Sequence, residues 1–305
     1  MIRRKFITTA GLGMLGTTIP LDFELHAVKS RKAKDGYILT AKEINDHLRS
    51  LATISESSVD RIVIGNPLTP VKKIGTAWMP YWKTCKKAVE DGVNVLVTHE
   101  PLYYGFYEKE NESPGAGHEQ YEDIIIKKKQ WITDSDLVII RCHDVWDKIP
   151  EIGIPFGLGK AIGFSDDDLI RNTAFYNVYR TEQAPAIEVA ARVAEALKIA
   201  GQPGIGFYGD ENYPVKSVGV GTGCFSDPVW YSWLEPDLFI TIDNIIKDWV
   251  QPLYAEDTGK PLVVINHGTS EEFGIRLLNQ YLKKKYPEYE IIHYDQGCSY
   301  RWMKG

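Results

Sequence analysis

The chain has 305 residues, of which 44% are hydrophobic and 25% charged, as is typical of a globular protein. Its net charge of -6 argues against a nucleic-acid-binding protein, which would carry a basic face. The length allows one large domain or two domains of ordinary size, with a substantial buried core. We therefore expect a small-molecule substrate and no nucleic-acid partner.

The N-terminus carries the twin-arginine pair Arg3-Arg4 and then a short, weakly apolar segment, residues 8–20. This segment is too short to span a bilayer as a mature helix, and it fits the first two regions of an export signal. We expect residues 1–28 to direct twin-arginine export to the periplasm, with no stable membrane insertion after the signal is removed. The alternative is a disordered basic N-terminus on a cytoplasmic protein.

Predicted helices and strands alternate through the first half of the chain. Thr40 and Glu43 form a capping box that predicts a helix up to about Leu51. Gly92 predicts the end of a second helix over 81–91, since glycine is favoured just after a helix. A third helix is expected over 118–131. The expected strands are 61–64, 73–77, 93–98 and 137–142.

The second half shows a similar alternation, which is compatible with an internal duplication. Its clearest helix is 186–200, with apolar residues on one face and Gly201 after its end. Another helix is expected over 270–285, with Thr269 as its N-cap. The expected strands are 176–180, 215–220, 237–241, 261–266 and 290–293.

Three of the expected strands end at a histidine followed by an acid. The residues at these ends are His99 and Glu100, His143 and Asp147, and His267 and Glu271. The apolar runs before them are typical of strands buried on both faces of a sheet. Ligands of open α/β sheets bind outside the carboxyl ends of the strands. We therefore expect these imidazoles and carboxylates to converge on one metal site.

Each of these pairs also has an interpretation without metal. The helix dipole favours Glu271 in the first turn of a helix. His99 and Glu100 are compatible with a surface loop, and His143 with a buried, hydrogen-bonded histidine. All three alternatives would have to hold together for the metal site to be absent.

The donor types indicate what the site binds. Imidazole and carboxylate donors without thiolate suit Zn²⁺, Mn²⁺ or Fe²⁺ with open positions, rather than a closed structural zinc site. His99 and Glu100 are adjacent in an extended segment, so their side chains point in opposite directions and could serve two neighbouring ions, or one ion and the substrate. Two divalent ions that share a carboxylate can deprotonate a bridging water and bind a substrate oxygen. This predicts hydrolysis of an ester, amide, phosphoester or ring amidine.

Other motifs carry less information. The cysteines are scattered without a Cys-x-x-Cys pair: Cys85, Cys142, Cys224 and Cys298. This spacing excludes a zinc ribbon or a thioredoxin-type motif and favours buried thiols. The turn 221–223 could cradle phosphate, but a tight turn at a strand end is the preferred interpretation. The aromatic run 103–107 suggests a third class of function, an exported sugar- or peptide-binding module.

The order of these motifs resembles the Nif-three-like (NGG-interacting factor) family, whose members are often named GTP cyclohydrolase I type 2 homologs. The resemblance extends from about Thr40 to Trp302. The matching motifs are His99-Glu100-Pro101, His143 with Asp147, and His267 with Glu271 and Gly274. It implies an α/β fold of two similar lobes, 36–170 and 171–305, with mixed sheets flanked by helices and the metal site between the lobes.

The resemblance also implies which residues act. The implied ligands of two divalent ions are His99, Glu100, Asp147, His267 and Glu271. His143 is implied as a partner of the ligands or a catalytic group, and Asp243 as an acid on the substrate side. Glu100 departs from the family's second histidine and makes the site more anionic, and histidines that often follow the acid are replaced by Ile245 and Ile246. A homo-oligomer, in this family a ring-shaped hexamer, is also implied.

The leading hypothesis is an exported metal-dependent hydrolase in which a metal-bridging water is the nucleophile. His143, Glu100 or Asp243 would then move protons. The alternative is a non-catalytic metal-binding or scaffold protein that uses the same residues. GTP is scarce outside the cytoplasm, so the family's named substrate suits an exported member poorly, and the substrate is left open.

Overall fold

A computed structural model describes residues 38–103 and 119–303, which form two mixed β-sheets flanked by helices. The expected export signal, 1–28, and all of the aromatic run after Tyr103 lie outside the described residues. Within the described residues, no helix combines the length and the apolar character needed to cross a membrane.

The elements of the described chain are as follows. The α-helices are α1 (Ala41–Arg49), α2 (Trp82–Glu90), α3 (Glu119–Asp134), α4 (Asp144–Lys148), α5 (Ile154–Ala161), α6 (Ala186–Leu197), α7 (Gln251–Thr258) and α8 (His267–Lys285). The strands are β1 (Arg61–Ile64), β2 (Lys73–Ala77), β3 (Val95–Thr98), β4 (Val138–Arg141), β5 (Leu169–Asn172), β6 (Tyr176–Pro185), β7 (Gly206–Tyr208), β8 (Pro214–Gly221), β9 (Leu238–Ile242), β10 (Leu262–Ile265) and β11 (Glu290–Tyr294).

The first sheet has the strand order β1-β4-β3-β2-β11, and all its neighbours are parallel except β1 with β4. Val95 and Val97 of β3 pack into one hydrophobic cluster while Leu96 packs into another on the opposite face. This alternation follows from the pleat, because successive side chains of a strand point to opposite faces. The sheet is therefore buried on both faces, and the carboxyl ends of β3 and β4 lie side by side.

The second sheet has the order β5-β6-β8-β9-β10-β7, with a parallel centre of β8, β9 and β10. Val189 and Val193 of α6 pack on one face of this sheet, and Ala255 of α7 packs on the other. The ends of β9 and β10 are in register at Ile242 and Ile265.

Helix α8 joins the cores of the two sheets. Its residues Ile275, Leu278 and Leu282 belong to the hydrophobic cluster of the first sheet, whereas Phe273 belongs to that of the second. The backbone of α5 touches α8 at a glycine pair, since a Cβ on Gly157 would lie 2.4 Å from the backbone nitrogen of Gly274. Only glycine permits this close approach, which brings α8 against the strand ends.

Three features differ from the sequence-based expectation. Helix α8 begins at His267, and its N-cap is Asn266, whose side chain accepts from the Thr269 N–H, so Thr269 is not the cap. Asp147 lies in a turn of helix, α4, which was not expected and which has His143 at its N-cap position. Strand β11 completes the first sheet although it lies inside the expected C-terminal lobe, because it pairs with β2. The division into two lobes stays a prediction.

The sequence analysis also did not predict several helices and strands of the structure. Helices α5 and α7 and strands β5 and β7 were not expected. Helix α5 contains Pro155 and two glycines, which weaken any helical pattern.

The cysteines of the described chain are free, and Cys85 and Cys142 are buried as expected. Cys224 is exposed and Cys298 partly exposed, so the expectation of buried thiols is wrong for these two.

Candidate metal centre

Six side chains from the three predicted strand ends meet at one edge of the first sheet. They form two groups, in each of which one donor atom per residue lies within 4.8 Å of the others. The first group is His99, His143 and Asp147, and the second is Glu100, His267 and Glu271. All are buried except the half-buried His143. The adjacent residues His99 and Glu100 therefore face different groups.

Glu271 connects the two groups. Its Oε1 lies 3.1 Å from Nε2 of His267, and its Oε2 lies 3.6 Å from Nε2 of His99. His267 and Glu271 are one helical turn apart in α8, which places both on the same face of the helix. The two oxygens of this single carboxylate are therefore directed at different groups, one at His99 and the other at His267.

The imidazole of His99 is oriented by the backbone. Its Nδ1 lies 3.1 Å from the carbonyl oxygen of Cys142. Because a carbonyl only accepts, Nδ1 carries a proton and donates it, and Nε2 is left as the metal-facing atom. That Nε2 lies 3.5 Å from Oδ1 of Asp147. This is the arrangement found in histidines that bind metals through Nε2.

The residues present fit a cation. The Nε2 atoms of His99 and His267 are both buried, and neither has a hydrogen-bond partner among the described residues. Yet each is surrounded by carboxylate oxygens at 3.1–3.6 Å. Buried polar atoms are normally hydrogen-bonded, so unsatisfied nitrogens that converge with carboxylates are compatible with a shared cation.

The buried carboxylates and imidazoles shift one another's pKa values. Burial alone would lower the pKa of His99, but Glu271 and Asp147 outweigh it and raise the pKa to about 9. Burial likewise opposes the rise at His267, where Glu271 and Glu100 raise the pKa to about 11. The pKa of Asp147 rises to about 6 because burial outweighs the nearby histidines. A metal ion bound here would compete with protons for these atoms.

Three further residues support the donors, and sequence reasoning missed them. Trp78 donates from its indole nitrogen to Glu271 Oε2 at 2.7 Å. Arg141 donates from Nε to the carbonyl oxygen of His99 at 3.0 Å. Asp60 accepts from the backbone N–H of His143 at 2.7 Å.

These three residues could have been predicted from their positions next to strand ends of the first sheet. Trp78 follows β2 directly, and Arg141 ends β4. Asp60 precedes β1, whose antiparallel direction puts its start at the same edge. The carboxyl ends of parallel strands meet at one edge, so residues there are neighbours of the site whatever their chemistry.

The turn after β8 covers the second group. Gly223 has φ +64°, and a Cβ there would lie 2.7 Å from Oε1 of Glu271. Positive φ and close contact both require glycine. The preferred interpretation of 221–223, a tight turn at a strand end, therefore agrees with this geometry.

Asp243 and His143 lie beside the donors in different ways. The carboxylate of Asp243 accepts from the backbone N–H of His267 at 3.2 Å and from Nδ2 of Asn266 at 3.0 Å, so it holds the start of α8. Nδ1 of His143 lies 3.0 Å from Oδ1 of Asp144, and its ring stacks on His99 with centroids 4.3 Å apart. The proton-transfer roles of both residues stay predictions.

A third cluster surrounds His293, which belongs to none of the motifs in the sequence. Its Nε2 lies 2.7 Å from Oε1 of the buried Glu272. The other oxygen of Glu272 accepts from the backbone N–H groups of Gln296 and Gly297 at 3.3 Å. Arg276 also pairs with Glu272 at 3.4 Å. These partners satisfy Glu272, so the cluster is an ordinary buried network.

Comparisons with known proteins agree with this architecture. The family model described as Duf34/NIF3 (NGG1p interacting factor 3) matches residues 39–297. A "GTP cyclohydrolase 1 type 2 homolog" from Chlamydia pneumoniae is 25% identical over 275 residues, which cover 80% of this chain and 94% of that protein.

Solved structures show the same fold. A hypothetical protein from Staphylococcus aureus has a TM-score of 0.67 at 18% identity, and the match covers 86% of this chain and 97% of that protein. A Bacillus cereus protein related to NIF3 also has a TM-score of 0.67, at 14% identity. The match covers 85% of this chain and 97% of that protein. At these identities, the similarity establishes the fold alone.

Proposed function

Because this chain belongs to the Duf34/NIF3 (NGG1p interacting factor 3) family, we propose that its two donor groups hold two divalent ions and that the protein is a metal-dependent hydrolase. The observation that carries the proposal is Glu271, whose two oxygens face His99 and His267 separately. A carboxylate placed in this way can bind two neighbouring ions, one through each oxygen. The proposed metals are Zn²⁺, Mn²⁺ or Fe²⁺, which suit imidazole and carboxylate donors.

Each ion would have its own donors and a share of Glu271. His99 and Asp147 would hold the first ion, and Glu100 and His267 the second. When bound, two such ions supply a Lewis acid for a substrate oxygen and lower the pKa of a water between them. The substrate is proposed to be a small molecule with an ester, amide, phosphoester or ring amidine group.

The chain's own residues would orient the donors and move protons. Nδ1 of His143 is engaged by Asp144 at 3.0 Å, which fixes the ring and leaves Nε2 for exchange with a substrate or water. Trp78 fixes the carboxylate of Glu271 through its 2.7 Å hydrogen bond. Asp243 holds the backbone of His267 and thereby the start of the helix that carries two donors.

Metal content tests the first half of the proposal. Elemental analysis of the purified full chain should find two divalent ions per chain, and Asp147→Ala should lose at least one of them. His47→Gln is the matched control, because His47 lies on α1 outside both donor groups. Fewer than two ions in the wild-type protein after metal reconstitution would contradict the dinuclear centre.

Turnover tests the second half. The metal-loaded protein is assayed on phosphoesters, amides and GTP, the last because the Chlamydia pneumoniae relative is named for it. A hydrolase loses turnover in His267→Ala while circular dichroism shows an intact fold. Two bound ions without turnover on any of these substrates would favour the alternative, a non-catalytic metal-binding or scaffold protein.

Export through residues 1–28 and assembly into a homo-oligomer, by resemblance a hexamer, are further proposals.

A further inference from the structure

A cavity of about 440 Å³ lies at the ends of β2 and β11, at the same edge of the first sheet as the donor groups. Its volume is within the range of small-molecule binding sites, roughly 300–1,000 Å³. Its lining combines aromatic side chains with charged ones, among them Trp78, Tyr81, Tyr294, Lys83, Lys87 and Asp295. None of these six belongs to the two donor groups.

Two of the aromatic residues form a wall that the cavity shares with the second donor group. Trp78 donates to Glu271, and its ring meets His267 with centroids 5.5 Å apart. The Tyr81 ring meets Trp78 edge-on, with centroids 6.4 Å apart. Burial raises the pKa of the Tyr81 hydroxyl, and the charge of Glu100 adds to this rise, whereas that of His267 opposes it. A molecule in the cavity would therefore touch side chains that face the metal-binding atoms.

Hydrogen bonds hold the walls of the cavity in place. Oε1 of Gln296 accepts from the backbone N–H of Met79 at 2.7 Å, and its Nε2 donates to the Met79 carbonyl oxygen at 2.7 Å. The backbone N–H groups of Gln296 and Gly297 donate to Oε2 of Glu272 at 3.3 Å. These bonds join the end of β2 to the segment after β11. A preformed site loses less free energy to ordering when it binds a ligand.

The uncompensated charge of the cavity is positive. The lining cation Lys87 pairs with Asp91, and the lining acid Asp295 pairs with Arg276 at 2.9 Å. Lys83, by contrast, takes part in none of the ion pairs of residues 38–103 and 119–303. An ammonium without a carboxylate partner attracts the anionic group of a ligand.

The position of Lys83 indicates how such a ligand would lie. Its Nζ is 5.6 Å from the centroid of the Tyr81 ring. An anionic group at Lys83 would therefore leave an attached ring against Tyr81 and Trp78, and aromatic rings attract one another when offset or edge-on.

We propose that this cavity binds the substrate of the metal centre, and that the substrate is a small molecule with a planar ring and an anionic group, phosphate or carboxylate, which Lys83 binds. The identification of the ligand as a substrate rests on the proposed hydrolase function. Binding in the cavity is measurable without turnover.

The test is isothermal titration calorimetry of the metal-loaded full chain with phenylphosphonate, benzoate and benzyl alcohol. The first two carry an anionic group on a ring, and the third is a neutral ring compound of similar size. Wild-type protein should bind an anionic compound more tightly than benzyl alcohol, and the tighter of the two anions identifies the preferred group. Lys83→Gln should weaken anion binding about fivefold, since solvent partly screens an exposed ammonium, and should leave benzyl alcohol unchanged.

Lys86→Gln is the matched control. Lys86 is also exposed on α2, but its Nζ lies 4.9 Å from the centroid of the Trp82 ring, and neither residue lines the cavity. This variant should bind all three compounds as the wild type does. Equal anion affinity in the two lysine variants, the result expected if metal ions alone held the anion, overturns the inference. So does a wild type without preference for the anionic compounds.

Tyr81→Leu tests the ring contact separately. Tyr81 precedes α2 and its side chain makes no capping hydrogen bond, so the helix should persist. The variant should weaken binding of all three ring compounds, and unchanged affinity for all of them contradicts the proposed position of the ring. Failure of the proposed function has a different signature, which is fewer than two ions per chain or absent turnover in the wild type.

Discussion

The indole nitrogen of Trp78 donates a 2.7 Å hydrogen bond to Oε2 of Glu271, although 193 residues separate them in the chain. The Trp78 ring also meets His267 edge-on, with ring centroids 5.5 Å apart. Partners behind a metal-binding carboxylate fix its orientation and its basicity. Trp78 therefore determines how the shared carboxylate is presented to the two donor groups.

Trp78→Phe should weaken metal binding, because it keeps the aromatic ring against His267 and removes only the hydrogen bond to Glu271. Losses of such partners typically lower metal affinity about 10- to 100-fold. Isothermal titration calorimetry with Mn²⁺ or Zn²⁺ measures the change. The control is Tyr294→Phe, which loses a 3.2 Å hydrogen bond from its hydroxyl to Oδ2 of Asp91, a residue outside both donor groups. Equal losses of affinity in both variants would contradict the role of Trp78.

Gly223→Ala should also reduce metal occupancy, since the added Cβ would lie 2.7 Å from Oε1 of Glu271. Gly201→Ala is the control, because Gly201 has a similar positive φ, +75°, and no atom within 4 Å of the added Cβ. Both variants carry the backbone strain of a non-glycine residue at positive φ. Elemental analysis should find fewer ions only in Gly223→Ala, and full occupancy there would refute the contact.

The stability of the fold should depend on His47 in mildly acidic solution. Burial, with repulsion from Lys285, lowers the pKa of His47 from its ordinary 6.5 to about 4. Between these values the unfolded chain binds a proton at this residue that the folded chain does not. The stabilising contribution is therefore complete above pH 6.5 and is lost as the pH falls towards 4.

The measurement is the thermal midpoint of unfolding of wild type and His47→Gln from about pH 8 to about pH 4, a range that includes both pKa values. Nε2 of His47 lies 2.8 Å from the Tyr281 hydroxyl, and the glutamine amide can replace that contact. The wild-type midpoint should fall relative to the variant below pH 6.5. Parallel curves over the whole range would show that His47 does not contribute.

Gly157→Ala should destabilise the protein strongly. Its Cβ would lie 2.4 Å from the backbone nitrogen and 2.6 Å from the Cα of Gly274, so two helices would have to separate. Overpacking of this kind costs about 3 kcal/mol or more where backbone must move. At Gly204 the nearest atom would be 3.9 Å away, on Trp302. Gly204→Ala should change the free energy of unfolding by no more than about 0.5 kcal/mol, and urea denaturation compares the two.

The sequence by itself determined the elements with strong local signals and the residue pairs that follow three of the strands. The Thr40 capping box, the helix of 186–197 and the apolar runs before His99, His143 and His267 are all present where local pattern placed them. Local pattern is sufficient there because capping, helical periodicity and buried strands depend on residues close in the chain. The rule for parallel strands accounts for the meeting of the residues after β3 and β4, whereas β10 lies in the second sheet, so its histidine reaches them only through tertiary packing.

The tertiary structure alone decided how the donors are divided and what supports them. Nothing local indicates that Glu271 faces both groups, that Trp78 and Arg141 contact residues of these groups, or that β11 joins the first sheet. These relationships depend on strand pairing and on the close packing of Gly157 against Gly274, which join residues far apart in sequence. Sequence spacing fixes which side chains reach a strand end, whereas the packing of sheets and helices in space fixes which of their atoms meet.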